Sequence, residues 1–351
     1  MPTSDCAFFR LWLPSLGPSC AGKRGSASRA KRDGLLEMGR VWTACASRLR
    51  DETVPPHEQV NRLEMLSESH NGDVRCSGES GVARGVSISI VTYHPDWGLL
   101  SRTVSSLSRA LECLLGEGLA PSAKLVAVNN GGADPSGLLK EHLSGKIARE
   151  TVQSPENLGY GAGHNLALGR VESEYHLILN PDVEIAEDAL TQGIAWMDAH
   201  PDAVAIAPDV REPDGSRSHL CRRQPSVRVL FLRAFAPRWG RALFPRLLDD
   251  YELRDLVDGD QPVWDPPLIS GCFMLFRTVE LKRLGGFDPR YFLYFEDYDL
   301  SLRAANQGRL AYVPQVRIMH AGGGAARKGL GHIKLFCRSA FRFFNSHGWR
   351  F

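Results

Sequence analysis

Two acidic clusters and one histidine carry the residue types and settings that could do chemistry in this chain. Asp182 stands in Leu179-Asn180-Pro181-Asp182-Val183, just past an apolar segment. A carboxylate there suits a divalent cation, because magnesium and manganese take oxygen ligands and often bridge one or two carboxylates to substrate phosphates. Taken alone, the same residues fit a turn better, with Asp182 capping a helix that starts near Ala186. The second cluster, Phe292 to Leu300, sets Glu296, Asp297 and Asp299 among aromatics. Acids in such surroundings at a helix entrance suggest a carboxyl whose pKa is raised for base work. They are equally explained by the helix dipole, with Asp299 pairing to Arg303 four residues on.

His320 precedes Gly322–Gly324 and the basic pair Arg327-Lys328. An isolated histidine is more often structural than a ligand, but this setting also suits a diphosphate-binding loop. The run Asn157 to Asn165 is rich in glycine yet does not fit G-x-G-x-x-G. Counted from Gly159 the last position falls on His164, and counted from Gly161 on Leu166. It also follows the third strand rather than the first, which argues against a dinucleotide enzyme. A glycine turn opening a helix could still let backbone approach a nucleotide.

These residues need elements to hold them. Val86 to Thr92 is a β-branched run that predicts a buried strand. Leu100, Val104, Leu107, Leu111 and Leu114 recur at helical spacing, and Gly116 and Gly118 end that helix. Strands follow over 125–128, near 147–152, and over 175–179, 204–207 and 269–276. Two more are expected over 310–313 and 316–319. Helices are expected over 138–143, 157–168 and 186–200, and a short one is stopped by Gly285-Gly286. Residues 211–265 are less regular. Alternation of this kind predicts an α/β domain, a mostly parallel sheet with helices on both faces. Ligands of such sheets bind beyond the carboxyl ends of the strands, where Thr92, Asn129 and Asn180–Asp182 fall.

Bulk composition excludes several classes. A net charge of +2 gives no global case for nucleic-acid binding, and none is expected as a partner. Eight cysteines without a C-x-x-C pair or zinc spacing indicate reduced thiols in a cytoplasmic setting. No apolar stretch approaches the length of a spanning helix, and Arg10 interrupts the apolar run from Cys6 to Leu16 that could mimic a signal peptide. Residues 1–84 are expected to be a poorly ordered basic extension, with nine Lys/Arg against three Asp/Glu in the first fifty. Met38 and Met65 are alternative starts. Residues 332–351 predict an amphipathic helix and tail. Ile333, Phe336, Ala340 and Phe344 share one face, and Lys334, Arg338 and Arg342 another. That face either lies on an anionic bilayer or points to water while the helix packs on the domain.

Between these ends, residues 85–331 form the expected catalytic domain, and its motifs together resemble a family-2 glycosyltransferase of the GT-A fold, nearest the rhamnosyltransferase-like branch. The motifs occur in order: Ser89 to Tyr93, Val128 to Gly131 with Asp134, Glu156 to Gly161 with Asn165, and Leu179 to Asp182. Ser270-Gly271, Gly286 to Asp288, Phe295 to Leu300 and His320 follow. The resemblance implies that Thr92, Tyr93, Asn129, Asn157, Gly159, Asn165 and Asn180 bind a nucleotide-diphosphate sugar. It implies that Asp182 and His320 hold Mg²⁺ or Mn²⁺ on the diphosphate. Asp297 becomes the general base, with Glu296 and Arg303 on the acceptor side. The implied activity is inverting transfer of a sugar, L-rhamnose from dTDP-L-rhamnose, to a saccharide or lipid-linked oligosaccharide in cell-surface polysaccharide synthesis at the inner face of a bacterial membrane. A UDP- or GDP-hexose donor, or a catalytically silent nucleotide-sugar-binding module, are the alternatives. One departure stands out: the family usually has aspartate where this chain has Asn129, and an amide also donates hydrogen bonds.

Overall fold

The computed structural model describes residues 83–235, 237–321 and 330–351. The expected extension lies outside these residues except for Ala83 and Arg84, which open the first strand. So does the Gly322–Gly324 loop with Arg327-Lys328.

Strand β1 (Ala83–Thr92) pairs in parallel with β2 (Ala123–Asn129) and β4 (Ser173–Leu179), and β2 pairs with β3 (Ala148–Gln153). Strands β5 (Val183–Ile185), β6 (Ala203–Arg211), β7 (Val263–Trp264), β8 (Phe273–Arg277) and β9 (Arg309–His320) complete one mixed sheet. Its order is β3-β2-β1-β4-β8-β6-β9-β5, with β7 paired to β9. The parallel pairings, including β6 with β9, hold most of the paired residues. This is the mostly parallel α/β sheet expected of the GT-A fold.

Side-chain alternation along β1 explains the two layers. Ile88 and Ile90 face helix α1 (Trp97–Gly116), whose Leu100, Val104, Leu107, Leu111 and Leu114 are all buried against them. Each such side chain contributes roughly 1.5–3 kcal/mol. Asp96 caps the helix by accepting from the Leu99 N–H at 3.0 Å. Val91, Val126 and Val128 point the other way. There Ala167 and Leu168 of α3 (Tyr160–Leu168) share a second core with Leu281 of α9 (Thr278–Arg283) and Leu300 of α10 (Glu296–Ala304). Helix α2 (Ser136–His142) packs beside α1, and α4 (Ala189–Ala199) covers the first layer farther along.

Four expectations change. The helix predicted from Ala186 begins at Ala189, because Val183–Ile185 pairs antiparallel with Ile318–His320 as β5. The two strands predicted over 310–319 are one strand. Its register slips beside Pro314, whose missing N–H is accommodated at that irregularity. The strand expected from Ile269 starts at Phe273, since Leu268 bonds Arg222 and Ile269 bonds Ser301 instead. The irregular 211–265 stretch contains four short helices: α5 (Val227–Phe235), α6 (Pro237–Leu243), α7 (Pro245–Tyr251) and α8 (Arg254–Val257).

The terminal helix α11 (Leu330–His347) packs its apolar side on the domain. Phe343 and Phe344 are buried with Leu230, Tyr291 and Phe295, and Phe336 and Ala340 pack beside them. Ile333, expected in that stripe, remains exposed in the first turn of the helix. Among the described residues no helix is long and apolar enough to cross a membrane.

Candidate active site

Parallel pairing brings the carboxyl ends of β1, β2 and β4 to one edge. Because β8 runs antiparallel to β4, its leading residues Ser270–Cys272 reach the same edge, and the Asn180 N–H donates to the Cys272 carbonyl at 2.9 Å. Strand β9 ends there too, with His320 opposite Val183. The sheet alone therefore gathers Thr92, Asn129, Asn180, Asp182, Gly271 and His320.

Asp182 does not cap the helix after it, since β5 intervenes and Asp188 occupies the N-cap of α4. Its Oδ1 faces the His320 Nε2 at 3.2 Å, with both atoms shielded from solvent. One oxygen and one nitrogen donor converging this way fit a divalent cation as two protein ligands. A cation held there would take its other ligands from elsewhere. Among the described residues no third His, Cys, Asp or Glu joins them.

The acidic cluster enters α10 through two consecutive left-handed residues, Tyr294 (φ 70°) and Phe295 (φ 66°). Non-glycine residues held in this region cost of order 1–3 kcal/mol each, and that strain concentrates at functional sites. The turn buries Glu296 and leaves Asp297 half-buried at the start of the helix. The Asp297 Oδ2 accepts from the Gly271 N–H at 2.9 Å and Oδ1 from the Tyr298 N–H at 2.9 Å. Burial pushes both carboxyls up, Glu296 further because the Asp297 charge adds to it. Asp297 is restrained by its two N–H donors and by the Arg222 guanidinium, whereas the buried Glu296 Oε2 has no hydrogen-bond partner. The two environments separate the pair, with Glu296 raised further and Asp297 the stronger acid.

The residues expected to bind the nucleotide make the following contacts. Thr92 is buried, its hydroxyl donating to the Val128 carbonyl and to Asn129 Oδ1 at 3.4 Å each. Asn129 spends its amide inside its own turn. Nδ2 donates to the Gly132 and Ala133 carbonyls at 3.3 Å each and to Gln153 Oε1 at 3.0 Å. Oδ1 accepts from the Gly131 N–H at 3.1 Å. Tyr93, by contrast, is 56 % exposed at this edge.

Three expected donor residues serve the framework instead. Asn165 makes a two-way bond with the Phe287 backbone, donating at 2.7 Å and accepting at 2.9 Å. Asn157 closes a turn by accepting from the Gly159 N–H at 3.0 Å. Gly159 (φ 86°) presses on the 287–292 loop, where a Cβ would stand 2.2 Å from the Phe292 carbonyl oxygen. Arg303, expected on the acceptor side, has all three nitrogens committed. They donate to Asp299 Oδ2 at 2.7 Å and to the Leu284 and Gly286 carbonyls at 3.0 and 2.9 Å, so it clamps α10 to the preceding turn.

Two residues escape the sequence reading. Tyr160 donates its hydroxyl to the Gly271 carbonyl, tying α3 to the turn before β8 whose N–H holds Asp297. Arg222 is half-buried over the Tyr251 ring, its Nη1 sealed from water without a hydrogen-bond partner. The doublet Arg222-Arg223 in a segment without acids was the available clue.

Comparison with known proteins follows the same lines. Residues 87–254 match the model "Glycosyl transferase family 2". The N-acetylglucosaminyl-diphospho-decaprenol L-rhamnosyltransferase of Mycobacterium tuberculosis is 28% identical over 280 residues, 74% of this chain and 85% of that protein. The rhamnosyltransferase WbbL of Escherichia coli strain K12 is 29% identical over 170 residues, 46% of this chain and 60% of that protein. In structure, the chain is similar to GalNAc-T7 solved with UDP, GalNAc and Mn²⁺ at TM-score 0.48 and 17% identity, over 70% of this chain and 45% of that one. It is similar to S. aureus TarS 1-349 in complex with UDP-GlcNAc at TM-score 0.46 and 14% identity, over 74% and 67%. The family match covers the strands that carry Thr92, Asn129 and Asp182, and the chain belongs to glycosyl transferase family 2 as a glycosyltransferase.

Proposed function

We propose that the enzyme transfers L-rhamnose from dTDP-L-rhamnose, with inversion, to a saccharide or lipid-linked oligosaccharide in cell-surface polysaccharide synthesis on the cytoplasmic side of a bacterial membrane. The observation that carries this is the meeting at one sheet edge of two different devices. Asp182 and His320 face each other on one side, and Asp297 is fixed by the Gly271 N–H on the other.

Asp182 and His320 would hold Mg²⁺ or Mn²⁺, which when bound stabilises charge on the departing diphosphate. Asp297 accepts the proton of the acceptor hydroxyl as that oxygen bonds to the anomeric carbon, and the bond from that carbon to the diphosphate oxygen breaks. One displacement needs no enzyme nucleophile. Glu296, carrying its proton, can donate a hydrogen bond to an acceptor oxygen. Rhamnose as the sugar rests on the names of the two relatives, one of which acts on a diphospho-decaprenol acceptor.

A UDP- or GDP-hexose donor is the second reading. It is favoured by Asn129, whose amide is turned into its own loop rather than toward a base. Calorimetric binding of a nucleotide-sugar panel, with Mn²⁺ and then with EDTA, decides between them. Metal-dependent selection of dTDP-rhamnose is the expected result. Selection of a UDP or GDP sugar keeps the enzyme class and overturns the rhamnose assignment. Donor binding without transfer to any acceptor supports the silent module.

A further inference from the structure

The charge of this chain is unevenly distributed in a way its net value hides. Residues 215–248 contain eight arginines and no acid, and residues 300–351 contain nine Lys/Arg and no acid. The fold brings parts of the two segments together, since the Val227 N–H donates to the Arg350 carbonyl at 2.8 Å. The terminal tail therefore runs beside the start of α5.

At this junction the surface is both cationic and apolar. Phe351 is 71% exposed and Leu243 61%, with Trp349 and Phe244 more than a third exposed. Two side-chain groups flank the Val227–Arg350 backbone bond. Trp349 stacks on buried Phe344 at 5.2 Å and edges against Phe341 at 5.5 Å, while Arg228 lies 4.7 Å over the Phe244 ring. Lys334 and Arg338 are exposed on the outer face of α11. Asp249 and Glu252 consume Arg241, and Glu252 also takes Arg233. Arg228, Arg246, Arg338 and Arg350 form no ion pair among the described residues. Exposed aromatics set among Arg228, Arg246, Arg338 and Arg350 are the chemistry of a surface that enters the headgroup region of an anionic bilayer.

The surface also has a defined relation to the acidic cluster. Helix α11 grips the Leu293–Asp299 segment at three points. Ser339 donates to the Leu293 carbonyl at 2.8 Å, Tyr294 bonds His332 at 2.9 Å, and His347 bonds Asp299 at 2.8 Å. We infer that the outer face of α11, the Trp349–Phe351 tail and the Leu243–Arg246 corner form one docking surface for an anionic lipid bilayer. Through α11 that surface holds the Glu296–Asp297 entrance at the headgroup level. The inference does not depend on which nucleotide sugar is the donor.

Co-sedimentation of the full chain with vesicles tests it, using phosphatidylcholine alone and phosphatidylcholine mixed with phosphatidylglycerol, at low and high salt. The protein is expected to bind the mixed vesicles, to release in high salt, and to ignore the neutral ones. Arg338→Gln with Arg350→Gln should weaken that binding about 30-fold, as expected for two cations near an anionic surface. Trp349→Ser with Phe351→Ser should weaken it about tenfold or more. Thermal unfolding of both variants at the wild-type temperature keeps a folding defect out of the result. Equal binding to neutral vesicles, or wild-type binding by both variants, overturns the inference. So does no vesicle binding at all, including the case where Trp349 instead mediates self-association.

Discussion

The imidazole Nε2 of His320 stands 3.2 Å from the Asp182 carboxylate, although 138 positions separate the two residues in the chain. The antiparallel pairing of β5 with β9 creates this proximity, because Val183 and His320 are register partners. His320→Ala should lower Mn²⁺-dependent donor affinity by about tenfold or more, since even outer-shell groups of metal sites carry that much. EDTA should erase the difference between mutant and wild type. Equal affinity in the presence of Mn²⁺ would return His320 to a structural role.

Asp297→Asn keeps the shape of the side chain and its place beside the Gly271 N–H but removes the proton acceptor. Turnover should fall by about 10²–10⁴ while donor affinity stays within twofold or so. Single-turnover kinetics alongside donor titration separates the two. Near-normal turnover would remove Asp297 as the base.

Arg222 acts on Asp297 through its field. Burial raises the Asp297 pKa and the nearby guanidinium opposes that rise. Removing the charge in Arg222→Met lets the pKa climb further, so the acidic limb of the kcat profile should move to higher pH by of order one unit. Arg222→Lys should leave the limb near its original place. An unmoved limb in Arg222→Met would show that the residue serves packing alone.

Asn129→Asp restores the residue usual in the family but places an oxygen against the Gly132 and Ala133 carbonyls and Gln153 Oε1. We expect a loss of about 1–3 kcal/mol in denaturant unfolding, the cost of buried acceptors left facing an acceptor. Unchanged stability would show that the turn has another arrangement.

Two histidines beneath the site predict acid sensitivity. His176 bonds Ser87 at 2.7 Å and Ser89 at 2.9 Å, and Ser89 continues to His164 at 2.7 Å. Burial lowers the His176 pKa to about 3, and holds His164 well below its usual value. The unfolded chain therefore binds more protons than the folded one between the ordinary histidine value and the depressed one. Stability contributed by these neutral rings is complete above about pH 6.5 and declines as pH falls, by roughly 1.4 kcal/mol per unit per ring. His176→Gln should shallow that slope by about one proton in denaturant melts. An unchanged slope would mean the ring is already charged in the folded state.

What could be read from the sequence follows physical lines. The α1 stripe from Leu100 to Leu114 and the β-branched β1 run were visible because local periodicity reports burial directly. The Thr92, Asn129 and Asp182 positions were visible as strand ends. The Ser87–His176–Ser89–His164 chain was not, since its members lie 75 to 89 positions apart and only the register of β1 with β4 and the packing of α3 bring them together. Asn165 and Arg303 were misplaced for a related reason. A polar side chain near such motifs suggests a ligand, yet here the bend at Gly285-Gly286 leaves backbone groups of Leu284, Gly286 and Phe287 that those two side chains satisfy.

The contact between Gly159 and the Phe292 carbonyl makes the 157–165 turn and the 287–292 loop inseparable for engineering. A 287–292 loop grafted from another enzyme must bring a matching 157–165 turn, because a side chain at 159 would meet the incoming backbone. Chimeras that exchange only one of the pair should fail at the folding stage, before substrate choice is ever tested.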